Sequence, residues 1–295
     1  MTKGDLSVVV ASVNGLPYLD ECLAALSKRA PAAAVIVADS TDERTRTHVR
    51  ERWPAVQLIS FGEQKTVPEL RAAGVFAAET PYVALIEDHC VVQGGWAAGL
   101  VERHREGHAV VGGAIRNAAT KRLRDWAAFF CEYSEHMEPV PLGPVGALPG
   151  INVSYDRRAI AEIEDLLREG RWETWLHTHL QRQGFELFAD PELTILHDKD
   201  FGFREFVSQR WYYSRSYAGM RNPELGWKRV VYLLGSPLLV PVIYARIALN
   251  VLRRSRHRKE LALATPLILL YLCVWSAGEA VGYAFGGGRS LLKVR

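Results

Sequence analysis

Glu87, Asp88 and His89 stand in a row in the stretch PYVALIEDHC, directly after an apolar run from Tyr82 to Ile86. All three side-chain types bind divalent cations. Carboxylates suit a hard cation shared with phosphate oxygens, and a histidine among them tilts the choice from Mg2+ toward Mn2+. A strand end that merely reaches solvent also carries charged residues, so the tripeptide by itself admits a bland reading beside the chemical one. Two other apolar runs end in polar groups: Ser12 and Asn14 follow LSVVVA, and Asp39 and Ser40 close AVIVADS.

The elements that must position these groups are legible as an alternation. Leu6–Ala11, Ala34–Ser40, VQLIS and YVALIED read as short strands, and helical patterns lie between them around Tyr18–Ser27, in TDERTRTHVRERW and around Val67–Ala78. Continuous apolar strands separated by helices predict an α/β fold with a mostly parallel, Rossmann-like sheet covered on both faces. Ligands of such sheets bind beyond the carboxyl ends of the strands, which is where the polar groups fall. From Gly107 to Gly170 the pattern is less regular. It holds the aromatic stretch RDWAAFFCEYSEHM and the loop PVPLGPVGALPG, too rich in Pro and Gly for an element interior and expected to approach a ligand or cover a cleft. WETWLHTHLQRQG then repeats apolar residues at helical spacing and stops at Gly184.

Composition bounds the possibilities. A chain of 295 residues accommodates one large α/β domain plus an appendage. The net charge is only +3, and the basic residues gather near the C-terminus instead of forming a stripe, so no nucleic-acid partner is expected. Cys22, Cys90, Cys131 and Cys273 form no CxxC pair and read as reduced thiols of a cytoplasmic protein. The first apolar run is too short for a signal peptide and reads as a first strand.

The last quarter differs in kind. Val230–Leu252 and Leu261–Phe285 are almost wholly apolar and flank the basic loop RRSRHRKE. Each is long enough to cross a hydrocarbon core of about 30 Å, so attachment to a membrane is expected, with residues 1–225 as the body and 226–295 as a helical hairpin. Two full spans put Arg253–Lys259 opposite the body, whereas an excess of positive charge marks the cytoplasmic side, where the body is also expected. That conflict favours a re-entrant or interfacial hairpin on the cytoplasmic face of the cell membrane. Gly278, Gly282 and Gly286 put small residues on one helix face, which permits close packing within the hairpin or between protomers of a homo-oligomer.

The order of motifs over about Leu6 to Met220 resembles glycosyltransferase family 2, the inverting enzymes of GT-A fold. SVVVASVNGLPYLDECLAAL is similar to that family's opening strand and helix, and VIVADSTDERT to its second strand with a nucleotide-contacting acidic residue, here Asp39. VPELRAAGVFAAETPYVALIEDHC resembles the helix before the metal-binding DXD motif, with Arg71 at the usual arginine. The motif is degenerate: Glu87 and His89 stand for the two aspartates, with Asp88 between them. LPGINVSYDRRAI resembles the acceptor-side segment, with Asn152 at its asparagine. Counting back from Gly184 puts Glu173 where the family has its catalytic aspartate, and His197 falls where several members carry a further metal ligand. VSQRWYYSR is similar to a QXXRW motif of which Arg210 and Trp211 remain, since Val207 occupies its first position.

The resemblance implies transfer of a sugar from a nucleotide-diphosphate sugar, UDP or GDP, to a lipid or lipid-linked acceptor, with Mn2+ or Mg2+ as cofactor. Glu87, His89 and His197 are then the metal ligands, and Glu173 the base that takes the acceptor proton. Ser12, Asn14, Asp39, Arg71, Asp88, Arg210 and Trp211 line the nucleotide sugar, the arginines matching diphosphate oxygens bidentately. Asn152 faces the acceptor. Competing readings are a nucleotidyltransferase of similar sheet and metal logic, and a non-catalytic nucleotide-binding or scaffold protein of a polysaccharide assembly.

Overall fold

The computed structural model describes residues 4–294, and the chain divides into two units. The first comprises the chain up to Ala118 together with His136–Asp198; the second comprises Ala119–Glu135 and the chain from Lys199 onward.

The first unit is built on one mixed sheet. Its strands are β1 (Leu6–Ser12), β2 (Ala34–Asp39), β3 (Gln57–Ser60), β4 (Tyr82–Glu87), β5 (Cys90–Val92), β6 (Val110–Asn117), β7 (Gly143–Val145), β8 (Val153–Asp156) and β9 (Leu187–His197). They lie in the order β3-β2-β1-β4-β8-β6-β9-β5, with β7 also paired to β9. The helices of this unit are α1 (Tyr18–Arg29), α2 (Glu43–Arg52), α3 (Val67–Ala77), α4 (Trp96–Arg105), α6 (Arg157–Glu162), α7 (Glu164–Arg168) and α8 (Glu173–Arg182), and α5 belongs to the second unit.

The half of the sheet nearest the N-terminus is parallel, as the alternation predicts: β1 pairs with β2 and β4, and β2 with β3. Every residue of β1 is buried, which fits a strand covered on both faces. The α3 helix begins at a capping box in which Thr66 and Glu69 exchange bonds, and its Gly74 lies against Val9 with no room for a Cβ. In the other half β6 and β9, the two longest strands, still pair parallel, so the longer pairings of the sheet are parallel as expected. Between and beside them β8 runs antiparallel to both β4 and β6, and β5 and β7 run antiparallel to β9. β5, β7 and β8 are only three to four residues long, too short for an apolar period to declare a direction.

The second unit holds α5 (Leu123–Tyr133), α9 (Phe203–Leu225), α10 (Arg229–Gly235), α11 (Leu239–Arg254) and α12 (Arg258–Phe285). This division into compact units falls at residue 198, and the second unit includes α5 from between β6 and β7. The physical reason lies in α5 and α9. Trp126, Phe129 and Phe130 of α5 are buried within this unit, as are Phe206 and Arg210 of α9. Two helical stretches, 203–254 and 258–285, are long and apolar enough to cross a membrane by length and composition.

The glycine face of α12 is used within the chain at two of its three positions. Gly278 and Gly282 pack against α9, and a Cβ on Gly282 would lie 2.6 Å from the Arg215 carbonyl oxygen and 2.7 Å from Ala218 Cβ. Asn222 Nδ2 donates to the Gly282 carbonyl at 3.0 Å. A Cβ on Gly286 would meet nothing within 4 Å.

Candidate active site

At the end of β4 the chain turns sharply through Asp88 and His89 into β5, and each of the three motif residues meets a different fate. Asp88 is wholly buried, and its Oδ2 accepts the amide N–H groups of Val13, Asn14 and Gly15 at 3.0, 2.7 and 3.0 Å. Its Oδ1 accepts from Asn14 Nδ2 at 2.7 Å. Burial pushes its pKa up, but the bonds from His89 and Asn14 outweigh that and hold the carboxyl below its ordinary value. The acceptors of Asp88 are thus spent on the loop between β1 and α1. The expected sugar-nucleotide contact gives way to a clamp that fixes this loop against the end of β4.

Glu87 faces the opposite way. Arg71 of α3, itself buried, donates from Nη2 to Glu87 Oε1 at 2.7 Å and from Nη1 to Glu173 Oε2 at 2.9 Å. One guanidinium therefore joins the end of β4 to the first residue of α8. Trp172 closes one side of it, with its ring centroid 5.7 Å from the guanidinium carbon. Gly150, in the LPGIN segment, closes another: a Cβ there would meet the Glu173 carboxylate at 2.6 Å and Arg71 Nη1 at 2.7 Å. Glycine at this position lets the backbone approach the ion pair closely. Behind Glu173, on the same helix, His177 Nε2 meets the Tyr155 hydroxyl at 2.8 Å. Burial pushes His177 down to about 4, so it is neutral at physiological pH.

His89 lies between the carboxylates and His197. Its Nδ1 is 3.4 Å from Asp88 Oδ1 and 3.9 Å from Glu87 Oε2, and its ring meets that of His197 edge-on with centroids 4.6 Å apart. The neighbourhood follows from register, because Cys90 pairs with His197 across β5 and β9. His89 Nε2 is buried and makes no hydrogen bond among the described residues. Among those residues no three His, Cys, Asp or Glu side chains form a closed metal-binding group. The donors nevertheless fit a divalent cation: an imidazole nitrogen without a hydrogen-bond partner, a second imidazole beside it, and a carboxylate of which one oxygen is engaged by Arg71. Two carboxylates facing one guanidinium leave an excess of formal negative charge that such an ion would offset, and the mixed nitrogen and oxygen set favours Mn2+ over Mg2+.

The remaining expectations sort differently. Asp39 has 0 % exposure; Ser12 Oγ and Thr41 Oγ1 donate to its Oδ1 at 3.0 and 2.7 Å, and Arg46 Nε to its Oδ2 at 2.9 Å. Contact of this carboxylate with a nucleotide requires one of these partners to let go. Asn14 and Ser12 end β1 beside the Asp88 and Asp39 clamps respectively. Asn152 is turned into the sheet. It has 0 % exposure, donates to the carbonyls of Ala114 and Leu193 at 3.0 and 2.7 Å, and accepts from Trp96 Nε1 at 2.9 Å. With its amide satisfied inside the sheet it braces β6, β8 and β9 and has nothing left for an acceptor. Arg210 and Trp211 lie on α9 of the second unit, where the Arg210 guanidinium stacks on Trp275 at 4.6 Å and lies 3.4 Å from Glu132.

Sequence reasoning missed Arg46, Gly150 and Trp172. Arg46 sits seven residues after Asp39, on a helix that Asp42 caps through Thr45, so the capping signal in STDERTR was there to locate the helix. Nothing local marks Gly150, whose constraint is a long-range approach.

The family model described as glycosyl transferase family 2 matches residues 7–162, more than half of the chain. Among solved structures, the chain is similar to the mannosyltransferase PcManGT from Pyrobaculum calidifontis in complex with GDP-Man and Mn2+. That match has a TM-score of 0.56 at 14% identity and covers 93% of this chain and 86% of that one. A second, GalNAc-T7 with UDP, GalNAc and Mn2+, aligns with a TM-score of 0.49 at 14% identity over 65% of this chain and 43% of that one. No curated protein matches the sequence.

Proposed function

The chain belongs to glycosyl transferase family 2, and from that premise we propose a membrane-attached, inverting glycosyltransferase. It takes a sugar from a nucleoside diphosphate donor, UDP- or GDP-linked, and gives it to a lipid or lipid-linked acceptor at the cytoplasmic face of the cell membrane. The observation that carries this reading is the Arg71 guanidinium held between Glu87 and Glu173 at 2.7 and 2.9 Å. It joins a carboxylate suited to the diphosphate side of the reaction to one suited to the acceptor side.

Glu173 acts as the base. Its carboxylate opens α8, where a helix N-terminus favours negative charge, and Arg71 holds it in one orientation. It removes the acceptor hydroxyl proton as that oxygen attacks the anomeric carbon from the face opposite the diphosphate, which inverts the centre. Glu87, His89 and His197 would hold Mn2+ or Mg2+, and when bound such an ion supplies the positive charge that a departing nucleoside diphosphate needs. The similar mannosyltransferase, in complex with GDP-Man and Mn2+, supports this class of donor and cofactor. The apolar surface of the second unit supports the membrane and, with it, a lipid-linked acceptor.

The test is a thermal-shift and donor-hydrolysis screen of the full-length protein in detergent against UDP-, GDP-, dTDP- and CDP-sugars, with and without Mn2+ or Mg2+. Metal-dependent stabilisation by one nucleotide is expected from binding linkage, with Glu173→Gln retaining that shift and losing turnover. Absence of stabilisation by all four nucleotides would overturn the reading in favour of a scaffold protein.

A further inference from the structure

The helices of the second unit carry their own argument about how a bilayer is met. The α9 and α12 helices run side by side in the same direction. Phe206 lies against Tyr271 at 4.6 Å, Tyr213 against Trp275 at 5.5 Å, Gly282 against Arg215 and Ala218, and Asn222 donates to the Gly282 carbonyl at 3.0 Å. From Phe206 to Asn222 this seam is about 24 Å long at 1.5 Å per residue. The α9 helix brings charge to it at several levels, with Arg210, Arg215, Arg221 and Asn222 contributing to the contact: Arg210 stacks on Trp275, Arg215 Nε donates to the Gly286 carbonyl at 3.2 Å, and Arg221 Nη1 donates to the Tyr283 hydroxyl at 3.0 Å.

A transbilayer α12 would therefore carry three arginines of α9 through the hydrocarbon at successive depths, which is strongly disfavoured. The opposite face of α12 is of the other kind. Leu263, Leu269 and Leu270 are exposed there, and Cys273, Ala277 and Ala284 complete a stripe without a charge after Lys259. Leu238, just before α11, and Val242, Leu249 and Leu252 on it are exposed on one face by their spacing. At the turn between the two helices Arg253, Arg256, Arg258 and Lys259 are exposed. That turn is pinned: the His257 ring lies 4.5 Å from that of Trp126 in α5, and Arg254 donates to the Glu135 carbonyl. The other end carries Trp227 and Phe285, exposed at 75 % and 80 %.

We infer that α10, α11 and α12 lie in the plane of an anionic bilayer surface, apolar stripes in the acyl region, with neither α11 nor α12 crossing it. The occupant of this face is lipid, because apolar stripes bordered by a cluster of exposed cations match acyl chains bordered by anionic headgroups. This deepens the membrane attachment proposed above and rests on it, but not on the sugar-transfer chemistry.

Two measurements on the full-length protein test it. In the first, Cys273→Ser protein carrying Trp227→Cys or Arg256→Cys is reconstituted into sealed vesicles of phosphatidylcholine and phosphatidylglycerol and treated with a membrane-impermeant maleimide. In-plane helices leave both positions on one side, labelled together; labelling from opposite sides overturns the inference while leaving membrane attachment and donor hydrolysis intact. In the second, the exposed Arg253, Arg256 and Lys259 are replaced by Gln. Partitioning to the anionic vesicles should fall roughly a hundredfold, with little change on phosphatidylcholine alone. Equal binding to both vesicle types overturns the headgroup match. A protein that binds neither and forms a dimer in detergent-free buffer gives the face to a second copy.

Discussion

The end of β4 and the outer face of α12 break the same rule in opposite senses. At the first, charged groups are buried, and they are tolerated because nearly every one has a partner: Asp88 has the loop amides, Glu87 and Glu173 share Arg71, and Asp39 has Arg46. At the second, leucines are exposed. Buried charge and exposed apolar surface are the two informative departures from ordinary burial. The contrast teaches that the carboxylates of the first region are held by partners within the chain, whereas the apolar side chains of the second face outward.

The largest effect should come from Glu173→Gln, which keeps a bond to Arg71 but removes the base. Turnover is expected to fall roughly a thousandfold with the donor dissociation constant unchanged, measured by single-turnover kinetics and calorimetry. A loss confined to donor binding would transfer Glu173 to the diphosphate side. Next is Asp88→Asn, which weakens the acceptor that holds three amides. Losing that buried charge-assisted set should cost about 3 kcal/mol, read as a lower midpoint in urea, with the loss falling on stability before it falls on the metal requirement.

The pH dependence sharpens the comparison further through two histidines buried in the first unit. Burial holds His177 and His104 each down at about 4, against about 6.5 for a free imidazole. The unfolded chain takes up these protons as pH drops below about 6.5 and the folded one does not, so stability is full above that value. It is lost as pH falls toward 4 and levels off below, by on the order of 3 kcal/mol per group. Differential scanning calorimetry from pH 7.5 to 4 should show the decline, and His177→Gln should make it shallower. Smallest is Gly282→Val, which forces side-chain carbons into the α9 contact and should cost about 2 kcal/mol; an unchanged melting temperature would mean the two helices are held apart more loosely than Asn222 and Arg215 imply.

What could be read from the sequence followed from local chemistry. The strands β1, β2 and β4 declare themselves because they are buried on both faces, and their polar ends follow. Glu173 and Arg71 were found as separate residues, whereas the bond between them spans 102 positions and no local pattern encodes it. The bonds of Asn152 were hidden for the same reason: they reach Ala114 and Leu193 on distant strands. The glycine spacing of α12 announced close packing correctly but could not name α9 as the neighbour, since α9 reads as a polar helix with no stripe of its own.

The route of the chain between the units has a practical meaning for anyone who cuts or swaps this protein. It passes from one to the other after Ala118, Glu135 and Asp198, so neither unit is one continuous stretch of sequence. Deleting everything past residue 225 to obtain a soluble fragment would leave α5 without α12, baring Trp126, Phe129 and Phe130.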